Sequence, residues 1–152
     1  MSDRAVRPVP IEQTRGLRQA LLRPHQTVEE MALDERPGVF AAGAFDGEEL
    51  VAVGLVAPDG EPGAWRVRGM VTVPEARGRG FGTAVLRALV EHASGQGANL
   101  IWCNARTPAR AFYEQAGLRV VSDEFELPQI GPHLKMELRL DDREATSTVP
   151  RS

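Results

Sequence analysis

The stretch Arg77-Gly78-Arg79-Gly80-Phe81-Gly82 sets glycine at every second position, with an arginine before each of the first two, directly ahead of an apolar-periodic segment. Backbone N–H groups in the first turn of a helix lack intrahelical acceptors and carry the positive end of the macrodipole, so they can donate to phosphate oxygens. Glycines let those oxygens come close, and Arg77 and Arg79 can add charge-assisted hydrogen bonds. In the plainer alternative the glycines only shape a turn and the arginines are solvated. Two familiar phosphate cradles do not match. A dinucleotide fold spaces its glycines G-x-G-x-x-G after a short first strand, and a P-loop continues into Gly-Lys-Ser/Thr, which is absent here. A diphosphate belonging to some other carrier is left.

Other reactive side chains are few. Cys103 is the only cysteine, so no internal disulfide can form. It stands next to Trp102 in the apolar run Leu100-Ile101-Trp102-Cys103 with no histidine beside it, which suits a small core residue better than a nucleophile. His25 and His92 lack metal-ligand spacing, and no metal is expected. His133, in Gly131-Pro132-His133-Leu134, brings an imidazole, a group that titrates near neutral pH, to the start of the last strand. Tyr113, beside Phe112, reads from spacing alone as an amphipathic core residue.

The elements that must position these residues follow from periodicity. Ala5 to Val9 suits a short strand, and Ile11, Leu17, Ala20 and Leu21 keep helical spacing up to Pro24. Val39–Phe45 and Leu50–Val56 are β-rich and joined through Asp46-Gly47, a hairpin signal. Beyond the turn-dense Pro58–Gly63, the residues Trp65, Val67, Val71 and Val73 share the odd positions, hence one face, of a longer strand ending at Pro74. Phe81, Val85, Leu86, Leu89, Val90 and Ala93 trace a helix face closed by Gly95 and Gly97. Leu100–Cys103 reads as a buried strand. Thr107 as N-cap, Pro108 at the first helical position and Gly117 past the end bound a helix over Ala109–Ala116. Val120, Val121 and Phe125 suggest one strand, and Leu134 to Leu140 another with alternating Lys135, Glu137 and Arg139. The order is β-α-β-β-β-α-β-α-β-β. It predicts an α/β (α+β) fold, a single domain over residues 1–140 whose mixed, mostly antiparallel sheet is flanked by helices, with 141–152 a disordered tail.

Composition narrows the partners. At 152 residues, 42% hydrophobic and 26% charged, the chain is long enough for one core without disulfides. A net charge of −3 argues against nucleic acid as partner. The first ten residues hold Asp3, Arg4 and Arg7 and no signal-peptide apolar run, and no segment approaches the roughly 20 apolar residues of a membrane span. A cytoplasmic protein with no membrane partner is expected.

The loop resembles the signature of the GNAT superfamily of acyl-CoA N-acyltransferases, Arg/Gln-x-x-Gly-x-Gly/Ala at a strand-to-helix junction, which Arg77, Gly80 and Gly82 satisfy. The wider run from Val71 through Pro74 to Gly82 is similar to the family's hydrophobic strand, Pro, Arg-Gly, Gly, Gly arrangement. A second match follows at Phe112-Tyr113-Glu114-Gln115-Ala116-Gly117-Leu118, similar to the family's Phe-Tyr-Glu-x-x-Gly-Phe. The resemblance is densest over Trp65 to Leu140, and the element order extends it to nearly the whole chain. It implies a GNAT-like domain that uses acetyl-CoA as cosubstrate.

Carried onto these positions, the resemblance implies that Arg77, Gly78, Arg79, Gly80, Gly82 and Thr83 meet the CoA pyrophosphate. Val71 and Val73 would lie along the pantetheine, which hydrogen-bonds a strand edge like an added strand, with Gly69 permitting a bulge that splays the sheet. Many relatives carry an Asn six or seven residues before the tyrosine, where this chain has Arg106 or Thr107; Asn104 either touches CoA or only ends its strand. The implied reaction is direct attack of a primary amine on the acetyl thioester through a tetrahedral oxyanion, polarised by strand N–H groups near Val71 to Val73. Tyr113 would give a proton to the departing thiolate. His133 is a candidate for contact with the acceptor or for general base, with Glu75, Asp123, Glu124, Glu126 or water as alternatives. The other reading is a CoA-binding sensor or interaction module without turnover. The acceptor and the oligomeric state, a homodimer among the options, stay open.

Overall fold

The computed structural model describes residues 4–33 and 35–140; the expected tail at 141–152 lies outside the described residues. The chain runs β1 (Arg4–Pro8), α1 (Ile11–Leu21), α2 (Val28–Leu33), β2 (Phe40–Asp46), β3 (Glu49–Pro58) and β4 (Ala64–Thr72). It continues through α3 (Phe81–Gly95), β5 (Leu100–Arg106), α4 (Arg110–Gln115), β6 (Arg119–Val120), β7 (Phe125–Leu127) and β8 (Gly131–Arg139). Single 3-10 turns at Pro74–Ala76 and Thr107–Ala109 lead into α3 and α4. The strands form one sheet in the order β1-β2-β3-β4-β5-β8-β6, with β7 also on β8. Every pairing is antiparallel except β4 with β5. This is an α+β domain with a mixed, mostly antiparallel sheet and helices on it.

Helix α3 covers one face. Its Phe81, Val85, Leu86, Leu89 and Ala93 are buried against Ala42, Ala44, Ala52, Val56, Trp65 and Val67 of the strands. Fully burying side chains of this size stabilises a fold by roughly 1.5–3 kcal/mol each relative to exposure. Alternate strand residues Ala41, Phe45 and Leu55 turn to the other face, where Ile11 of α1 and Val9 cover them. The site therefore rests on a sheet clamped on both sides.

Four expectations change. A second helix, α2, stands where no apolar pattern marks one. Its start is a capping box: Glu30 N donates to Thr27 Oγ1 at 3.0 Å, and Thr27 N donates to Glu30 Oε1 at 2.8 Å. The strand expected over Val120–Phe125 is two strands, because Ser122 leaves the ladder to accept from Lys135 N at 2.9 Å through its hydroxyl. The element order is thus β-α-α-β-β-β-α-β-α-β-β-β. Thr107 does not cap α4; its hydroxyl donates to Glu124 Oε2 at 2.8 Å, and the helix starts at Arg110.

The fourth difference lies in β4. Leu55 pairs with Arg68 but Val53 with Val71, so Gly69 and Met70 together face Gly54. This bulge breaks the odd-numbered face. Met70, not Val71, continues the row of Trp65 and Val67 and packs against the α3 cluster, its Sδ filling the space a Gly54 side chain would need beside Leu89 and Val85. Gly69 has φ 66°, in the left-handed region, and a Cβ there would sit 3.2 Å from Arg18 Nε.

Candidate functional site

The bulge sets the shape of the site. β4 and β5 pair only at Ala64–Leu100, Trp65–Ile101 and Arg66–Trp102. Beyond that, β4 stays with β3 as far as Thr72, while β5 stays with β8 as far as Arg106 opposite His133. A wedge opens between them. Val73 N donates to Val51 O at 2.9 Å, towards β3. Strand alternation then turns the backbone groups of Val71 to β3 as well, and those of Met70 and Thr72 to the open edge. Arg77 Nε confirms the direction of the Thr72 carbonyl, donating to it at 3.1 Å.

At the wide end of the wedge lies the entrance of α3. Gly80 is the N-cap residue, with φ 90° and no side-chain cap. Ala84 N donates to Gly80 O at 3.1 Å, the first helical bond. The amides of Phe81, Gly82 and Thr83 precede that bond and have no intrahelical acceptor. A cavity of about 740 Å³ runs from this entrance along Met70, Val71 and Thr72 to Phe112 and Tyr113 of α4. Its volume is within the range of small-molecule sites.

A second cavity of about 110 Å³ occupies the narrow end of the wedge, among Arg66, Arg68, Gly69, Asn104, Arg106 and His133. Both cavities are lined by Tyr113, which stands between them. Tyr113 is 7% exposed, and burial first, then the neighbouring Cys103, pushes its hydroxyl pKa far above the ordinary phenol value, so it stays protonated. His133 is 3% exposed and its Nδ1 lies 2.8 Å from Gly131 O. A carbonyl only accepts, so Nδ1–H is the donor and Nε2 is the ring nitrogen left outside this bond. Phe125 stacks on the imidazole with centroids 6.0 Å apart and holds its plane.

Residues 8–118 match the model of the Acetyltransferase (GNAT) family. The chain belongs to this family. It is 29% identical over 138 residues, 86% of this chain and 93% of the relative, to an uncharacterized N-acetyltransferase, YitI, of Bacillus subtilis. The fold is similar to the ribosomal-protein-S18-alanine N-acetyltransferase of Escherichia coli, with TM-score 0.74 and 14% identity over 90% of this chain and 93% of that one. It is also similar to an aminoglycoside 6'-N-acetyltransferase complexed with coenzyme A, with TM-score 0.72 and 16% identity over 90% and 97% of the two chains.

In this GNAT acetyltransferase the structure brings Val71, Arg77, Gly78, Gly80, Gly82, Thr83 and Tyr113 to the larger cavity. Asn104 and His133 meet Tyr113 at the smaller one. Two of the expected residues lie outside both cavities. Arg79 lines neither cavity; its guanidinium pairs with Asp46 at 3.1 Å and lies 5.1 Å from the Phe81 ring centroid. Val73 also lies outside both, its N–H spent on β3. The open backbone edge is that of Met70 and Thr72, and the glycine at position 69 is the sequence signal for the change of phase.

Cys103 is 2% exposed, and burial, opposed by Arg66, pushes its thiol up to about 12. At neutral pH it is no nucleophile. Among the described residues no three His, Cys, Asp or Glu side chains gather as a metal set, and no helix is long and apolar enough to cross a membrane.

Proposed function

We propose that the chain, with residues 1–140 as one catalytic unit, transfers an acetyl group from acetyl-CoA to a primary amine by direct attack, in the cytoplasm. The observation that carries this reading is the position of Tyr113, on the wall shared by the two cavities. One cavity suits the carrier and the other the acceptor, so the phenol stands where the thioester would meet the amine.

The residues present fit the carrier. The uncapped amides of Phe81, Gly82 and Thr83 would donate to the oxygens of a pyrophosphate, with Gly78 and Gly80 leaving room for them. The open edge of Met70 and Thr72 would hydrogen-bond the pantetheine amides and polarise the thioester carbonyl. That assignment narrows the polarising donors expected near Val71 to Val73 to Met70 and Thr72, whose N–H groups face the wedge.

The acceptor nitrogen adds to the thioester carbon to give a tetrahedral oxyanion, which collapses to the amide as the C–S bond breaks and the thiolate leaves. His133 Nε2, or a water on it, takes the proton the amine loses. Tyr113 gives its proton to the thiolate sulfur and regains one from solvent. Calorimetric titration with acetyl-CoA and with ATP, followed by thiol release across an amine panel, tests the proposal. Tight acetyl-CoA binding, weak ATP binding and turnover with at least one amine support it; ATP binding equal to acetyl-CoA binding would refute it.

A further inference from the structure

The chain is net negative, yet the narrow end of the wedge is ringed with arginines from three elements and the segment after α1. Arg18 on α1, Arg23 just after it, Arg66 and Arg68 on β4 and Arg106 at the end of β5 border the cavity of about 110 Å³ and an extension of about 60 Å³ beside it. The two spaces share Arg23, Arg68 and Gly69. Among the described residues, two carboxylates at the margin pair with these arginines. Glu35 takes Arg18 at 3.0 Å together with Arg15 at 2.8 Å, and Asp59 reaches Arg66 only at 3.7 Å while holding Arg36 at 3.2 Å.

Among the described residues, arginines outnumber carboxylates on the acceptor side. Arg23 shows it: burial first, then Arg106, Arg68, Arg18 and Arg66, all lower its pKa. Arg66 Nε is buried with no hydrogen-bond partner among the described residues. Arg106 donates to Leu22 O at 2.7 Å, which ties the α1–α2 connection to this wall. Guanidinium forks brought together in a confined site match the oxygens of a carboxylate or phosphate.

We propose that the acceptor is a small amine that also carries an anionic oxygen group, carboxylate or phosphate, with the amine beside Tyr113 and His133 and the anion between Arg23 and Arg68. This rests on the acetyl transfer proposed above. The arginines select for such a molecule and against a polycationic amine, which they repel. They also favour the neutral form of the attacking nitrogen over its ammonium.

The test titrates CoA-saturated protein with malonate and, separately, with inorganic phosphate at constant ionic strength. One of the two anions is expected to bind the wild type, and Arg23→Gln and Arg68→Gln are expected to weaken it about tenfold or more. CoA affinity and melting temperature stay unchanged in both variants. Thiol release then compares β-alanine with propylamine, phosphoethanolamine with ethanolamine, and spermidine with all four; the acid-bearing partner of the pair matching the bound anion should lead. Binding of neither anion, equal binding by wild type and both variants, or preference for propylamine, ethanolamine or spermidine would overturn the inference. Failure to bind acetyl-CoA would instead sink the acetyl transfer, and the anion titration of the unloaded wild type and variants would still decide the arginine site.

Discussion

Arg66 and Trp102 are the last partners in the β4–β5 ladder, and the Arg66 guanidinium lies 4.8 Å from the centre of the Trp102 ring just where the two strands part. Everything assigned to function lies on one side of that pair. Trp102 Nε1 donates to Asp59 O at 2.8 Å, so the closed end of the wedge is anchored to the β3–β4 turn. The open end then follows from the bulge at Gly69 rather than from loose packing.

Tyr113→Phe removes one oxygen from a buried ring and leaves the packing against Phe112 in place. Turnover should fall by roughly 10² to 10⁴, the usual contribution of a positioned proton donor, with acetyl-CoA affinity little changed. Because the hydroxyl pKa is raised, the wild type should show no alkaline loss of activity from this group up to pH 10. Rates and calorimetry across pH check both statements.

Gly80→Ala puts a side chain where φ is 90°. The left-handed backbone then costs roughly 1–2 kcal/mol, and relief of that strain turns the amides of the α3 entrance. Acetyl-CoA binding should weaken about tenfold, with a melting temperature lower by a few degrees. Calorimetric titration and thermal unfolding measure the two effects.

Glu35→Gln tests the ion pairs behind the arginine wall. Burial acts to raise the Glu35 carboxyl pKa, but the hydrogen bonds and charges of Arg15 and Arg18 outweigh it, and the net shift is downward. A carboxylate with a depressed folded pKa stabilises above its unfolded value of about 4.3, and that stability fades as pH falls through the folded value. The variant should melt roughly 2 to 8 °C lower at pH 7. The gap should narrow below about pH 4. Melting curves across that range check the sign.

Cys103, buried and with its thiol pushed up to about 12, should resist iodoacetamide in the native protein at pH 8 and react once the chain is unfolded. Mass spectrometry of both samples reads the result.

The elements nearest the glycine loop were legible because their signals are local. Phe81, Val85, Leu86, Leu89 and Ala93 keep helical spacing and are buried on one face of α3. The β2–β3 hairpin forms as expected, with Gly47 at φ 64°, but Asp46 pairs with Glu49 and the two-residue loop is Gly47-Glu48, one position beyond the Asp46-Gly47 pair. Less legible were features decided by side chains acting on backbone. Thr27 and Glu30 start α2 through two hydrogen bonds that no hydrophobic period reveals. In β4 the alternation of valines pointed to Val71 and Val73, but a single extra residue at the bulge exchanges the two sides of the strand. The arginine wall was hidden for another reason: Arg18 with Arg23, Arg66 with Arg68, and Arg106 come from three distant stretches of sequence, and only the packing of α1, β4 and β5 brings them together.

The most direct test of the central claim is a ¹H–¹⁵N correlation titration of the labelled protein with CoA. The largest shifts should fall on the amides of Gly78 to Thr83 at the α3 entrance and on Met70 and Thr72 along the open edge. Shifts clustered away from those residues, or none at millimolar CoA, would contradict the account.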